Sequence, residues 1–323
     1  LVWAWATRRF WAQVALSLVA LMSWPAAFYL LAPLIIWPRA GTGPPALSET
    51  LPSRLSMPHV AIALPLGGAL LALSWMVSDM PPVAAWTAWT TLSLMTNAWF
   101  LGLASIAALV VVRPVLAKEV MGQWSMKGML VCAALFLAGQ MYVRATESGS
   151  LSFSEQTYWR EVLLYVRTRA LAPFAGHTAY FGALAAMACA IWPRALAAAR
   201  SLGPGPLVAL SLIGLQALDT ESRRLNANWF LAALCTVLAI QASLVSSRAL
   251  IAFASLAVVF SKLWWRWSGP NLFAEANPPG NYYNLQGPSL SDEAYLIHLA
   301  AASVLAAAVW VWTRRVPPVE PAL

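Results

Sequence analysis

Four carboxylates of the chain are candidates for general-base chemistry: Glu161, Asp219, Glu221 and Glu275. A carboxylate within hydrogen-bonding reach of a substrate can take its proton, and neighbouring arginines can hold a phosphate group. This combination predicts, as one alternative, a membrane enzyme that acts on a lipid-linked substrate. The sequence contains no P-loop, GxGxxG, GxSxG, HExxH or Asp-x-Asp motif, so it indicates no particular reaction.

A cation and several aromatic residues adjoin one another further along the chain. Lys262 is followed by Trp264, Arg266 and two further tryptophans. A lysine within an apolar stretch can form a Schiff base or pair with an anion, but it can also extend its ammonium group to a membrane interface. We favour the interfacial interpretation, in which cation–π contacts would bind a lipid headgroup or a sugar. Lys262, Trp264 and Arg266 are therefore candidate binding residues.

The segment 268–292 is dense in proline, glycine, asparagine and tyrosine. Rigid turns that display amide and aromatic side chains are typical of loops that carry function. Asn281, Tyr282 and Tyr283 are the candidate binding residues within this segment, which would dock a partner subunit. A plain connecting loop is the alternative interpretation.

Each of the three histidines stands near the start of an apolar stretch: His59, His177 and His298. Histidines on facing helices can ligate haem iron or bridge a metal ion, but nothing in this spacing indicates either, and an interfacial role is preferred. The three cysteines fall inside apolar stretches, without a CxxC or Cys/His pairing: Cys132, Cys189 and Cys235. No metal site is therefore predicted, and no motif implies a cofactor.

The composition determines the class of fold that must position these residues. Of 323 residues, 60% are hydrophobic and 10% are charged, against roughly 25% charged in an ordinary soluble domain. The apolar stretches are long and continuous, without the period-2 alternation of a β-barrel. We therefore predict an all-α fold, a polytopic transmembrane helical bundle of about nine spans that forms one integral membrane domain over residues 1–323.

Nine apolar stretches are the predicted spans: 10–37, 59–78, 83–112, 128–143, 173–192, 206–218, 229–245, 249–267 and 293–312. An amphipathic stretch at 153–169 begins with a capping-box pair, Ser152 and Glu155, and is predicted to lie along the membrane surface. Its charged residues include Arg160, Arg167 and Arg169. The two tightly joined spans 229–245 and 249–267 are expected to be antiparallel neighbours.

Predicted span 83–112 carries six polar side chains in its first half: Thr87, Thr90, Thr91, Ser93, Thr96 and Asn97. Such side chains can bond backbone carbonyls or a neighbouring helix, which we favour over a polar pathway through the membrane. Carboxylates fall in connections or at span edges, which argues against ion-driven transport. A transporter or channel for an uncharged or anionic solute, using this polar face, is the remaining transport alternative.

The net charge of +8 does not indicate a nucleic-acid partner, because the basic residues stand singly or in pairs beside span ends. Membrane lipids and other membrane protein subunits are the expected partners. The function that we favour from the sequence is a non-catalytic, lipid-binding subunit or anchor of a larger membrane complex. The enzyme and the transporter described above are the alternatives.

Overall fold

The structure, a computed structural model, describes residues 2–23, 31–37, 57–77, 87–115, 124–146, 169–217, 222–241 and 292–315. Every regular element in these ranges is an α-helix, which confirms the all-α class. The helices are α1 (Val2–Ala6), α2 (Phe10–Ser23), α3 (Pro33–Ile36), α4 (Met57–Val77), α5 (Ala88–Val115), α6 (Met126–Thr146), α7 (Ala172–Phe181), α8 (Ala183–Ala190), α9 (Trp192–Leu202), α10 (Pro204–Gln216), α11 (Ser222–Gln241) and α12 (Asp292–Arg315).

The largest core cluster lies where α9, α10 and α11 pack together with α1 and α3. Leu196, Leu207, Leu210 and Leu225 are fully buried there, and they are joined by the ring of Trp5 from α1. The indole nitrogen of Trp5 donates a 3.2 Å hydrogen bond to the main-chain carbonyl of Trp37, directly after α3. The helix α1 therefore contributes to this core cluster.

Prolines begin several of these helices. α3 and α10 start with Pro33 and Pro204, and Pro173 and Pro193 are the second residues of α7 and α9. Proline lacks the N–H that a first helical turn leaves without an intrahelical partner, and its fixed φ suits a helix start. The chain can therefore begin a new helix immediately after the preceding one ends.

The predicted span 173–192 differs from the structure, which divides it into α7 and α8. Gly182 separates the two helices with φ 74° and ψ −158°, a conformation that side-chain-bearing residues rarely adopt. Residues 193–202, expected as a connection, belong to α9, in which Ala195, Leu196 and Ala199 are buried. Gly203, at φ 128°, then separates α9 from α10.

The helices α4 and α5 pack against each other through small residues. A Cβ placed on Gly67 of α4 would lie 1.7 Å from the carbonyl oxygen of Ala98, and one on Gly102 of α5 would lie 1.7 Å from that of Ala63. Only glycine allows two backbones to approach this closely. The pairs Ala63–Gly67 and Ala98–Gly102 each have the small-xxx-small spacing that favours close helix packing.

Large apolar side chains face outward on α2, α4, α5, α6 and α12. None of the described helices combines the length and the apolar character that crossing a bilayer demands. The nine spans deduced from the sequence therefore stay a prediction. Predicted span 249–267, residues 268–291 of the segment 268–292 and residues 153–168 of the expected surface helix lie outside the described residues.

Candidate functional site

The described residues place a buried polar cluster where α5 and α12 meet the start of α7. We call it the Arg169 cluster, and it comprises Ser93, Asn97, Arg169 and Tyr295. Each of these residues is at least nine-tenths buried. Two elements distant in sequence thus converge on the chain just before α7, where Leu171 at φ 50° turns it into the helix.

Arg169 is 4% exposed, although the sequence predicts it at the end of a helix on the membrane surface. That expectation is wrong for this residue, because the ring of Tyr295 from α12 covers it. The guanidinium carbon lies 5.3 Å from the centroid of that ring. A cation over the face of an aromatic ring gains electrostatic attraction, which offsets part of the cost of removing the charge from water.

Side chains from α5 and α12 bind the two carbonyls that precede α7. The amide nitrogen of Asn97 donates to the carbonyl of Arg169 at 2.9 Å and to that of Ser93 at 2.8 Å. The hydroxyl of Tyr295 donates to the carbonyl of Ala170. The carbonyls of Arg169 and Ala170 are buried outside regular structure, so they require donors from elsewhere in the chain.

The polar row of α5 divides into local and long-range contacts. The hydroxyl of Thr91 donates to the carbonyl of Thr87, directly before α5, at 3.1 Å, and that of Thr96 donates to the carbonyl of Leu92 within α5 at 2.8 Å. Asn97 instead reaches another part of the chain. The expectation that this row bonds backbone carbonyls is confirmed for these three side chains.

His177 connects α7 to the end of α10. Its Nε2 lies 2.7 Å from the carbonyl oxygen of Ala217, so this nitrogen carries the proton and donates. The ring is buried and lies 6.2 Å from that of Phe181, which stacks on Trp229 of α11 at 4.3 Å. The nitrogen that would face a haem iron is thus directed at the backbone.

The two other histidines lie on α12 and α4. His298 is buried one turn after Tyr295 on α12. His59 lies in the first turn of α4, and its side chain falls outside the described residues. Within the described ranges, no three His, Cys, Asp or Glu side chains come together as a metal site would require. The three cysteines are free thiols, of which Cys132 and Cys235 are buried.

The ten site residues named from the sequence all lie outside the described residues: Glu161, Asp219, Glu221, Lys262, Trp264, Arg266, Glu275, Asn281, Tyr282 and Tyr283. They stay predictions. The described ranges contain two carboxylates, Asp292 and Glu293, at the first turn of α12. The Arg169 cluster therefore offers hydrogen-bond donors and a fixed positive charge, which suit the binding of an anion or the pinning of backbone carbonyls.

Sequence reasoning missed the Arg169 cluster because its members are distant along the chain. Tyr295 and Ala170 are 125 residues apart, and Asn97 and Arg169 are 72 apart. One local signal was available. Pro173 marks the beginning of a helix, which places Arg169 in a turn rather than at the end of a long surface helix.

No protein-family model, curated protein or solved structure matches the chain.

Proposed function

We propose that the protein is an integral membrane subunit or anchor of a larger membrane complex, without catalytic activity of its own. One observation carries the proposal: several outer helices bury polar or small residues beside a few apolar ones, and they expose many large apolar residues. In water the opposite arrangement is favoured, because burial of apolar area drives folding. In lipid the outer face is solvated by hydrocarbon, and polar and small side chains join the helices.

The helix α6 gives the clearest case. Its inward stripe is Gly128, Cys132, Leu135 and Gly139, spaced as one face of a helix. Its outward side includes three large apolar residues that are mostly exposed: Leu130 (64%), Leu137 (61%) and Met141 (71%). Two of the four inward positions are thus glycine, while leucine and methionine occupy the outside. A face of this kind is typical of contact with lipid or with another apolar surface.

Polar residues are also buried on α2, namely Gln13 and Ser17, whereas the apolar residues Trp11, Val19 and Leu18 are exposed. On α12 the buried positions include Tyr295, His298 and Ala302, whereas these large apolar residues are exposed: Leu296, Ile297, Val304, Trp310 and Val311. α5 directs Ser93 and Asn97 inward and Leu92, Met95 and Trp99 outward. The proposal rests on this shared surface rather than on any single helix.

A subunit or anchor is favoured over an enzyme by the use of the buried polar groups. Asn97, Tyr295 and His177 each donate to a main-chain carbonyl, and these bonds hold helices together. The enzyme alternative depends on Glu161, Asp219, Glu221 or Glu275, which lie outside the described residues. Other membrane subunits and lipids are the partners that the outward apolar faces would contact.

Membrane partition is tested by expressing the full chain and washing the membranes with alkaline carbonate. We expect the protein to stay in the pellet and to leave it only with detergent. Recovery in the carbonate supernatant would refute the membrane proposal. Gentle detergent extraction with mass analysis then separates the functions. A stoichiometric complex that survives washing supports the subunit, whereas a protein that emerges alone with a small molecule contradicts it.

A pair of variants on α6 tests the orientation of its outer face. Leu137→Lys places a charge in the middle of the helix, and Met126→Lys, also exposed, places it at the first residue. A lysine deep in hydrocarbon costs about 2.5–3.5 kcal/mol, and one near the interface costs much less. We therefore expect Leu137→Lys to reduce the membrane-integrated yield strongly and Met126→Lys to leave it nearly unchanged. In water both substitutions would be mild.

A carrier for an anionic solute is the second candidate, and the burial of Arg169 favours it. The positive charge lies between the polar row of α5 and α12, deep among apolar helices, and buried cations in such positions mark anion sites. Reconstituted vesicles that take up small carboxylates or phosphate, with uptake lost in Arg169→Gln but retained in Arg200→Gln, would support the carrier. Equal uptake by the two variants would exclude Arg169 from transport.

A further inference from the structure

A compact surface of cations and aromatic rings lies where α1, α2 and α6 meet. We call it the Arg9–Lys127 patch, and its members are Trp3, Arg8, Arg9, Phe10, Trp11, Trp124 and Lys127. The chain turns sharply from α1 into α2 at Arg8, which has φ 59°. The main-chain N–H of Arg9 donates to the carbonyl of Ala4 at 2.8 Å and fixes the turn. Both arginine side chains are exposed as a result.

Each of two cations in the patch lies over aromatic rings. The guanidinium carbon of Arg9 is 5.0 Å from the ring centroid of Trp3. The ammonium of Lys127 is 4.5 Å from the centroid of Phe10 and 4.7 Å from that of Trp11, and these two rings meet edge to face at 5.4 Å. Aromatic faces attract the cations and restrict their positions.

The start of α6 holds Lys127 in place. The N–H of Ser125 donates to the carbonyl of Ile36 at 2.8 Å, and the hydroxyl of Ser125 accepts the N–H of Gly128 at 3.1 Å as an N-cap. A Cβ on Gly128 would lie 2.3 Å from the carbonyl oxygen of Ile35. This close approach fixes the position of the start of α6 against α3, and with it the position of Lys127 in the patch.

The patch has an excess of positive charge in its sequence neighbourhood. Residues 1–48 contain no Asp or Glu, and neither does the range 124–146. Lys127 also stands in the first turn of α6, where the helix dipole is positive and a cation is unfavourable. Three cations beside two helix N-termini therefore attract an anion from outside these segments.

The exposed tryptophans indicate what kind of anion fits. Trp3 and Trp11 are exposed beside the cations, and Trp124 is exposed three residues before Lys127. Amphipathic indoles favour the headgroup level of a bilayer. α2 and α6 both begin at the patch and carry their outward Val19, Leu130 and Leu137 away from it. A molecule with an anionic head and an apolar tail can contact both the patch and the apolar faces beside it. A free anion can contact only the patch.

We propose that the Arg9–Lys127 patch binds the phosphate of an anionic phospholipid, with the acyl chains along the outward faces of α2 and α6. This inference rests on the proposed membrane function and names a lipid class and a place for it. Arg8 and Arg9 supply guanidinium donors to the phosphate oxygens, and Lys127 supplies a point charge. The three tryptophans set the depth of the patch at the interface.

The test uses the full chain in mixed micelles of neutral detergent with equimolar phosphatidylglycerol and phosphatidylcholine. After size exclusion, mass analysis gives the ratio of the two lipids that the protein retains. We expect phosphatidylglycerol to be retained preferentially, and we expect Arg9→Gln and Lys127→Gln each to lower the ratio by about fivefold. Arg200→Gln removes the same charge at the last turn of α9, from a residue that is not a member of the patch, and is expected to keep the wild-type ratio.

Three outcomes would overturn the proposal. The first is equal retention of the two lipids by the wild-type protein. The second is a preference that Arg9→Gln and Lys127→Gln retain in full, or that Arg200→Gln loses as strongly. The third is binding of inorganic phosphate to the lipid-free protein that phosphatidylglycerol does not displace, which would assign the patch to a soluble phosphate. Carbonate extraction reports separately on the membrane proposal, so a pelleted protein without lipid preference contradicts this inference alone.

Discussion

The side-chain amide of Asn97 donates a 2.9 Å hydrogen bond to the main-chain carbonyl of Arg169, 72 residues further along the chain. Asn97 is 2% exposed, so water does not compete for this bond. The hydroxyl of Tyr295 donates to the carbonyl of Ala170. These two bonds hold the residues before α7 between the long helices α5 and α12. The position of α7 in the bundle therefore depends on a few polar contacts.

Replacement of Asn97 by leucine is expected to destabilise the protein by about 1–3 kcal/mol, because a buried carbonyl loses its donor. Thr96→Val is the matched control, since Thr96 donates only to carbonyls of its own helix. We expect its effect to be a few tenths of a kcal/mol. Thermal unfolding in detergent measures both variants, and equal losses of stability would contradict a role for the bond to Arg169.

Two adjacent glycines of α4 are expected to respond in opposite ways to the same substitution. Gly67→Ala forces a methyl group against the carbonyl of Ala98, and we expect a loss of about 1–3 kcal/mol as the two helices separate. A Cβ on Gly68 meets nothing within 4 Å. Gly68→Ala should therefore be neutral or stabilise the helix by about 0.5–1 kcal/mol. The measurement is again thermal unfolding, and a Gly67→Ala variant as stable as Gly68→Ala would exclude the close crossing.

The two contacts of Tyr295 can be separated by substitution. Tyr295→Phe removes the donor to the Ala170 carbonyl and keeps the ring over Arg169, so we expect a loss of about 1–3 kcal/mol. Tyr295→Leu removes the ring as well, and we expect a further loss of roughly 0.5–2 kcal/mol.

The contribution of the cation–π contact is isolated in a second background. When Arg169→Gln is present, the difference in stability between Tyr295→Phe and Tyr295→Leu should shrink by the coupling energy of the ring and the guanidinium. An unchanged difference would mean that the ring acts only by filling space.

The helical class follows from the sequence because the local signal is strong. Apolar runs as long as 57–77 exceed the usual length of a strand and therefore indicate a helix. The break at Gly182 was not predicted, because a glycine within an apolar run is compatible with a continuous helix, and only its positive φ distinguishes the two cases. The helix α9 was missed for a similar reason, since Pro193, Arg194 and Arg200 are typical of a connection.

The Arg169 cluster could not be predicted from local patterns. The charge pattern of residues 153–169 predicts a helix along the membrane surface, whereas Arg169 is buried under a ring that comes from α12. No periodicity in either segment encodes that meeting. The exposure of large apolar residues on the outer helices was not predicted either, because the sequence shows which residues are apolar but not which side of a helix faces outward.

The first eight residues of α7 have no exposed side. Every residue from Ala172 to Ala179 in α7 is buried, whereas α6 is buried along a single stripe. A position on the outer side of α6 can exchange one apolar residue for another without consequence for its neighbours. In α7 each change in volume must be compensated by a neighbouring helix, so sequence drift there requires coupled substitutions. Among divergent descendants of this chain, α7 is therefore expected to change last and α6 to change first.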